Sequence, residues 1–275
     1  MKNQIKIAIL CTAAIVLLFS CTEEVSQTVD KVASRPSAPI LASTVTIGTQ
    51  VWMAKNLNVS RYRNDDLIPQ VTNPFQWVGL TSGAWCYYEN NSANGPVYGK
   101  LYNWYAVNDP RGLAPAGYHI PTDAEWTTLT TFLGGNVAAG GKMKTTGTLE
   151  AGTGTWWGPN LDATNSSGFT CLPSGARYGD GAFEFICQYT YFWSSTAYWT
   201  RHLGFNYPSV IREEGPIEEG YSVRCLRDSA FWYLIGSSNR QSEKLQKYIY
   251  NTIKNTFGGF LFHMVCLRRF KDKIK

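Results

Sequence analysis

The chain has 275 residues, 44% of them hydrophobic, with ten Trp and sixteen Tyr, and carries a formal net charge of +5. The basic excess is confined to Ser229–Lys275, which holds nine Lys/Arg against Glu243 and Asp272; Cys21–Asp228 holds fourteen basic and eighteen acidic residues. A central region at net −4 gives no ground for nucleic-acid binding, and Val45–Asp228 is long enough for one well-buried core but not comfortably two.

Residues 1–20 read as a secretory signal, with Lys2 and Lys6 ahead of an apolar run from Ile7 to Phe19. That run is shorter than the roughly 20 residues a membrane-spanning helix needs. It ends in Leu18-Phe-Ser-Cys21, which resembles a lipobox, so cleavage before Cys21 is expected to free it for acylation. Several acyl chains would anchor the protein stably, at about 0.8 kcal/mol per buried methylene. Thr22-Glu-Glu24 resembles the acidic tract of surface-directed Bacteroidetes lipoproteins, giving an expected location at the outer membrane or cell surface. Residues 21–44 are small and polar, with Pro36 and Pro39 and neither hydrophobic period, and read as a flexible tether.

Val45–Ile47 and Gln50–Met53 alternate around Gly48-Thr49, the pattern of a β-hairpin. A helix is expected over about 97–107, with Val97, Leu101, Trp104 and Tyr105 on one face. A second is expected over 122–133. Thr122-Asp-Ala-Glu125 reads as its capping box, Asp123 suits the positive helix end, and Trp126, Leu129 and Leu133 follow at helical spacing before Gly134-Gly135. Beyond Gly134 the chain is rich in Gly, Thr, Asn and Ser, broken by the short apolar runs 169–172, 191–193, 202–205 and 221–226. These read as short strands between long loops, and such loops usually carry binding or lids. The fold class is therefore α+β, with a small twisted antiparallel sheet, two short helices and long loops. In the tail, 241–256 could form a helix striped by Leu245, Ile249 and Ile253. The favoured reading of 229–275 is a poorly ordered basic appendage or an altered frame rather than a surface-lying helix.

The aromatics gather at Trp156-Trp157, Tyr189–Trp193 and Tyr198-Trp199. Trp104, Trp126 and Trp193 are expected in the core. Trp157 and Trp199 sit in expected loops, where exposure and burial are equally expected. With Tyr198, Arg177, Arg201 and Arg212 they form the expected contact set, suited to a sugar's apolar face and hydroxyl rim, or to a protein partner. Cys86, Cys171, Cys187 and Cys225 permit three disulfide pairings, with buried free thiols as the alternative. Asp109, Asp162, Asp180 and Glu184 read as solvated loop acids in preference to a calcium site. No HExxH, CxxC, GxSxG or phosphate-cradling glycine loop occurs, and no cofactor or metal is expected.

Six blocks carry a family resemblance in order: Gln50–Asn58, Tyr98–Val107, Gly117–Trp126, Gly168–Pro173, Trp193–Thr196 and Tyr221–Asp228. Together they resemble the Fibrobacter succinogenes major paralogous domain over about 45–228, and His119–Trp126 resembles the helix signature of the formylglycine-generating-enzyme/sulfatase-modifying-factor fold, a relative of the C-type lectin fold. The enzymatic branch uses copper held by two closely spaced cysteines; Cys187 and Cys225 are far apart, so that activity is not expected. Calcium-lectin signatures are also absent. Because the family often carries cysteine at Cys86 and Cys225, the resemblance implies pairing of those two and of Cys171 with Cys187. His119 is expected to be a structural hydrogen-bonding residue. The expected protein is a lipid-anchored, non-catalytic envelope protein recognising a glycan or protein. An enzyme with an unrecognised site, or a structural adhesin subunit, is the alternative.

Overall fold

In the computed structural model, which describes residues 42–228, the chain opens with the expected hairpin. β1 (Thr44–Ile47) pairs antiparallel with β2 (Gln50–Met53), Ile47 facing Gln50 across the Gly48-Thr49 turn. The segment expected to be a signal, Cys21, most of the expected tether and residues 229–275 lie outside the described residues. α1 (Pro74–Trp77) is a single turn whose first amides are capped by the Asn73 side chain. β3 (Trp85–Cys86) then pairs with β4 (Leu101–Tyr102).

The single helix expected over 97–107 does not form. α2 (Gly95–Tyr98) stops at Gly99, whose φ of +79° is left-handed, and Leu101-Tyr102 runs extended as β4. Tyr102 exchanges backbone hydrogen bonds of 2.9 and 3.0 Å with Tyr221. α3 (Trp104–Val107) starts afresh, capped by the Asn103 side chain on the Ala106 amide. Val97 is therefore exposed, while Leu101 and Trp104 are buried.

After β5 (Tyr118–His119), α4 (Asp123–Phe132) is built as its sequence requires. The Thr122 hydroxyl accepts from the Glu125 amide at 3.2 Å, and the Glu125 carboxylate accepts from the Thr122 amide at 2.8 Å. Trp126, Leu129 and Leu133 are buried. α5 (Asn136–Met143) was not expected, because Gly140 and Gly141 disfavour a helix interior. Close packing explains them: a Cβ at either would lie 2.5 Å from a carbonyl oxygen, of Ser209 or of Asp162.

The rest is strand and loop: β6 (Ser174–Arg177), β7 (Phe183–Ile186), β8 (Tyr189–Trp193), β9 (Trp199–Gly204), β10 (Ile211–Glu214) and β11 (Leu226–Arg227). The 169–172 run makes only a bridge, Cys171 to Lys144. The fold is mixed α+β with short helices, but it has two principal sheets instead of one. One is ordered β1-β2-β11-β5 and the other β10-β9-β8-β6-β7, antiparallel throughout except where β6 runs parallel to β8.

Alternation along β8 sends its side chains to opposite faces of the five-stranded sheet. Phe192 enters a core with Trp52, Trp126, Phe169 and Leu203 under α4 and α5. Trp193 enters a second core with Trp104, Tyr102 and Tyr221, against which Tyr191 packs half-buried.

Candidate functional site: an aromatic sheet face and a groove

Beyond the cover of Trp104 and Tyr221, the second face of the five-stranded sheet carries half-buried aromatic side chains, and the neighbouring Phe205 packs against the first core. The rings form a continuous run. Trp157 meets Phe205 at 6.0 Å, Phe205 meets Tyr189 at 5.9 Å, Tyr189 meets Phe185 at 5.2 Å, and Phe185 meets Tyr178 at 6.0 Å. A branch runs from Tyr189 through Tyr207 and His202 to Tyr191. Pairing of Tyr191 with His202 across β8 and β9 fixes this register.

Carboxylates edge this surface. His202 Nδ1 lies 2.6 Å from Glu213 Oε1. Burial, followed by the nearby charges of Glu219, Glu184 and Glu213, pushes the Tyr178 hydroxyl pKa up. Glu219 is itself buried and raised by desolvation, and it accepts a hydrogen bond from Tyr221. Phe185 holds φ +67°, a left-handed conformation that strains a bulky residue and that persists where surrounding structure demands it.

Two open depressions lie elsewhere. One, of about 470 Å³, is bounded by the loop 81–83, α3, the turn 108–111, Tyr198 and Ile217. The other, of about 380 Å³, includes Arg63, His119, Glu125, Ser195 and Asp228. In the second, His119 Nδ1 meets Asp228 at 2.7 Å and Nε2 meets Glu125 at 3.1 Å. Partial burial opposes the imidazolium, but the hydrogen bonds and charges of Glu125 and Asp228 outweigh it and the His119 pKa is raised. With both ring nitrogens engaged, His119 is a clamp between β5, α4 and the end of β11, and has no free nitrogen to activate a nucleophile.

The family profile described as the Fibrobacter succinogenes major domain matches residues 45–227. The chain belongs to that family. No curated protein and no solved structure matches it.

Within this Fibrobacter major domain the expected contact set is scattered. Trp157, 40% exposed, ends the aromatic run, whereas Tyr198, 48% exposed, lines the larger groove. Trp199 lies in β9 under the Arg212 guanidinium, 3.3 Å from its ring centroid, and Arg212 is bidentate to Asp123. Arg177 and Arg201 are not rim residues: they are 0% and 1% exposed. Arg177 donates to the carbonyls of Val71, Thr72 and Gly181 over the Trp77 ring. Arg201 is paired with Asp123 at 2.7 Å. A buried guanidinium demands such partners, and both find them inside the fold, although Arg201 Nε is left without one.

The cysteine pairing also needs correction. Cys86, Cys171, Cys187 and Cys225 are free thiols. Cys86, Cys171 and Cys225 each belong to a different core cluster, while Cys187 is half-exposed at the Trp157 edge. Burial pushes the first three to about 12, which makes them inert packing residues. Among the described residues no group of three His, Cys, Asp or Glu could hold a metal; Asp109 is engaged by Arg111 and Asp180 caps the Ala182 amide. Sequence reasoning missed Tyr178, Phe185, Phe205 and Tyr207 as surface residues. The alternation of Tyr189 and Tyr191 with Thr190 and Phe192 was the available signal.

Proposed function

We propose that the chain is a lipid-anchored cell-envelope protein whose domain holds a neutral extracellular polysaccharide on its aromatic sheet face, without turnover. One observation carries this reading: the half-exposed rings running from Trp157 through Tyr189 to Tyr178. Such a platform suits the flat apolar faces of successive sugar rings, while phenol and imidazole edges suit their hydroxyls. The carboxylates of Glu184 and Glu213 would repel a polyanion, so the polymer is uncharged.

Anchoring rests on Leu18-Phe-Ser-Cys21, and placement at the outer membrane or cell surface on Thr22-Glu-Glu24. Kinship with the sulfatase-modifying-factor and C-type-lectin folds rests on the His119–Trp126 motif together with two sheets, short helices and long loops. The non-catalytic reading draws support from the double engagement of His119.

The test is affinity electrophoresis of the full chain through neutral and acidic polysaccharides. Retardation by a neutral polymer is expected, insensitive to EDTA. Tyr189→Ala and Trp157→Ala should each weaken it by on the order of 2 kcal/mol, the size of an interface anchor. Unchanged retardation in a folded double variant, or binding restricted to acidic polymers, would overturn the reading; turnover of a bound polymer would overturn its non-catalytic part.

A further inference from the structure

The groove beside Tyr198 has a different character from the sheet face. Its volume of about 470 Å³ lies in the range of small-molecule sites, ~300–1,000 Å³. One side is aromatic: Tyr198 stands half in solvent with its ring 6.0 Å from Trp104, and Tyr105 lies alongside. Tyr198 holds φ +65°, so the fold keeps an aromatic side chain in a strained conformation to present it there.

The other side is polar. Asn108 is exposed, and Asp109 and Arg111 are locked to each other through bonds of 2.9 and 2.8 Å, with Arg111 also on Asp66 at 3.1 Å. This fixes carboxylate acceptors next to a planar donor, and the two carboxylates leave the cluster with a net charge of −1 that disfavours an anion. Hydrogen bonds from Arg111 outweigh partial desolvation and hold the Asp109 carboxyl below its usual range.

Behind the groove wall the Tyr62 hydroxyl stands against Gly83, where it leaves no room for a Cβ, and beside Asp109 and Arg111.

We infer that this groove binds a single uncharged pyranose residue, its apolar face on Tyr198 and its adjacent hydroxyls on Asn108, Asp109 and Arg111. The inference rests on the reading of the domain as a glycan-recognition module and adds a second, separate subsite. An exposed aromatic next to a fixed acceptor–donor pair matches a ring with one apolar face and vicinal hydroxyls at its edge. An acidic sugar would meet two carboxylates around an Arg111 that both already engage.

The experiment is saturation-transfer NMR of the full chain with methyl glycosides of glucose, galactose, mannose and N-acetylglucosamine, run beside polymer retardation. At least one glycoside should receive saturation, and Tyr198→Ala should weaken its binding about tenfold, as loss of an anchor worth ~1.4 kcal/mol would. Asn108→Ala should weaken it without lowering the melting temperature, since Asn108 is exposed on the groove, a separation that a purely structural role would not give. Tyr189→Ala should leave glycoside binding intact while reducing polymer retardation. If no glycoside binds but polymer retardation persists, the groove inference is wrong and the recognition reading stands. If binding is unchanged in both Tyr198→Ala and Asn108→Ala, the sugar sits elsewhere and the inference is again wrong. Loss of both glycoside and polymer binding in the wild-type chain overturns the recognition reading itself.

Discussion

His119 is held at both ring nitrogens by carboxylates, one on α4 and one at the end of β11. Its folded pKa is raised, so its contribution is fully present below the unfolded value of about 6.5 and is lost as pH rises through the folded value. Thermal melts between pH 5.5 and about 8.5 should therefore show stability falling with pH, and His119→Asn should flatten that slope. An unchanged slope would mean that the clamp contributes nothing to folding. The clamp is a third exposed, so solvent screening keeps the effect modest. At this scale, the sequence made His119 legible through its place in the helix-entry motif. Arg177 and Arg201 were not legible, because a guanidinium's fate depends on partners far along the chain. Val71, which accepts from Arg177, is 106 residues away. An Arg near aromatics reads the same whether it rims a surface or crosses a core.

Among the elements, α4 was the most legible because its start, face and stop are all encoded locally. Thr122→Ala should lower stability by about 1 kcal/mol through loss of one cap bond. Trp126→Ala should lower it by about 3–5 kcal/mol, since the indole is fully buried between Trp52 and Phe192. Denaturant melts giving similar small losses for both would contradict the packing of this helix. The 97–107 region misled for a physical reason. One-turn helices separated by a left-handed Gly99 and an extended pair can keep hydrophobic spacing that mimics one continuous helix. α5 was hidden by the opposite effect: its glycines lower helix propensity locally, and the backbone approaches that require them involve Ser209 and Asp162. The aromatic run was half-visible as alternation in β8. The strained Phe185 and Tyr198 cannot be read from residue type at all.

The whole domain is closed by its last strand. Leu226 of β11 faces Trp52 of β2 on one side and His119 of β5 on the other, so the end of the domain sits in the middle of its first sheet. Arg224, just before it, is fully buried and donates to Met53, 171 residues away, and to Phe169 and Asn56. Ending the chain after Asp228 should preserve a cooperative melt, while ending it before Arg224 should abolish one, as followed by calorimetry. A folded protein from the shorter chain would show β11 to be dispensable. The central position of β11 also imposes an order in time. A chain emerging N-terminus first from a ribosome or a channel offers β2 no neighbour on that side until nearly the whole domain has passed. Such distant pairing is slow, because a long loop must close before any contact rewards it. The same strand that completes the native sheet thus delays it, and keeps the chain threadable until its final residues arrive.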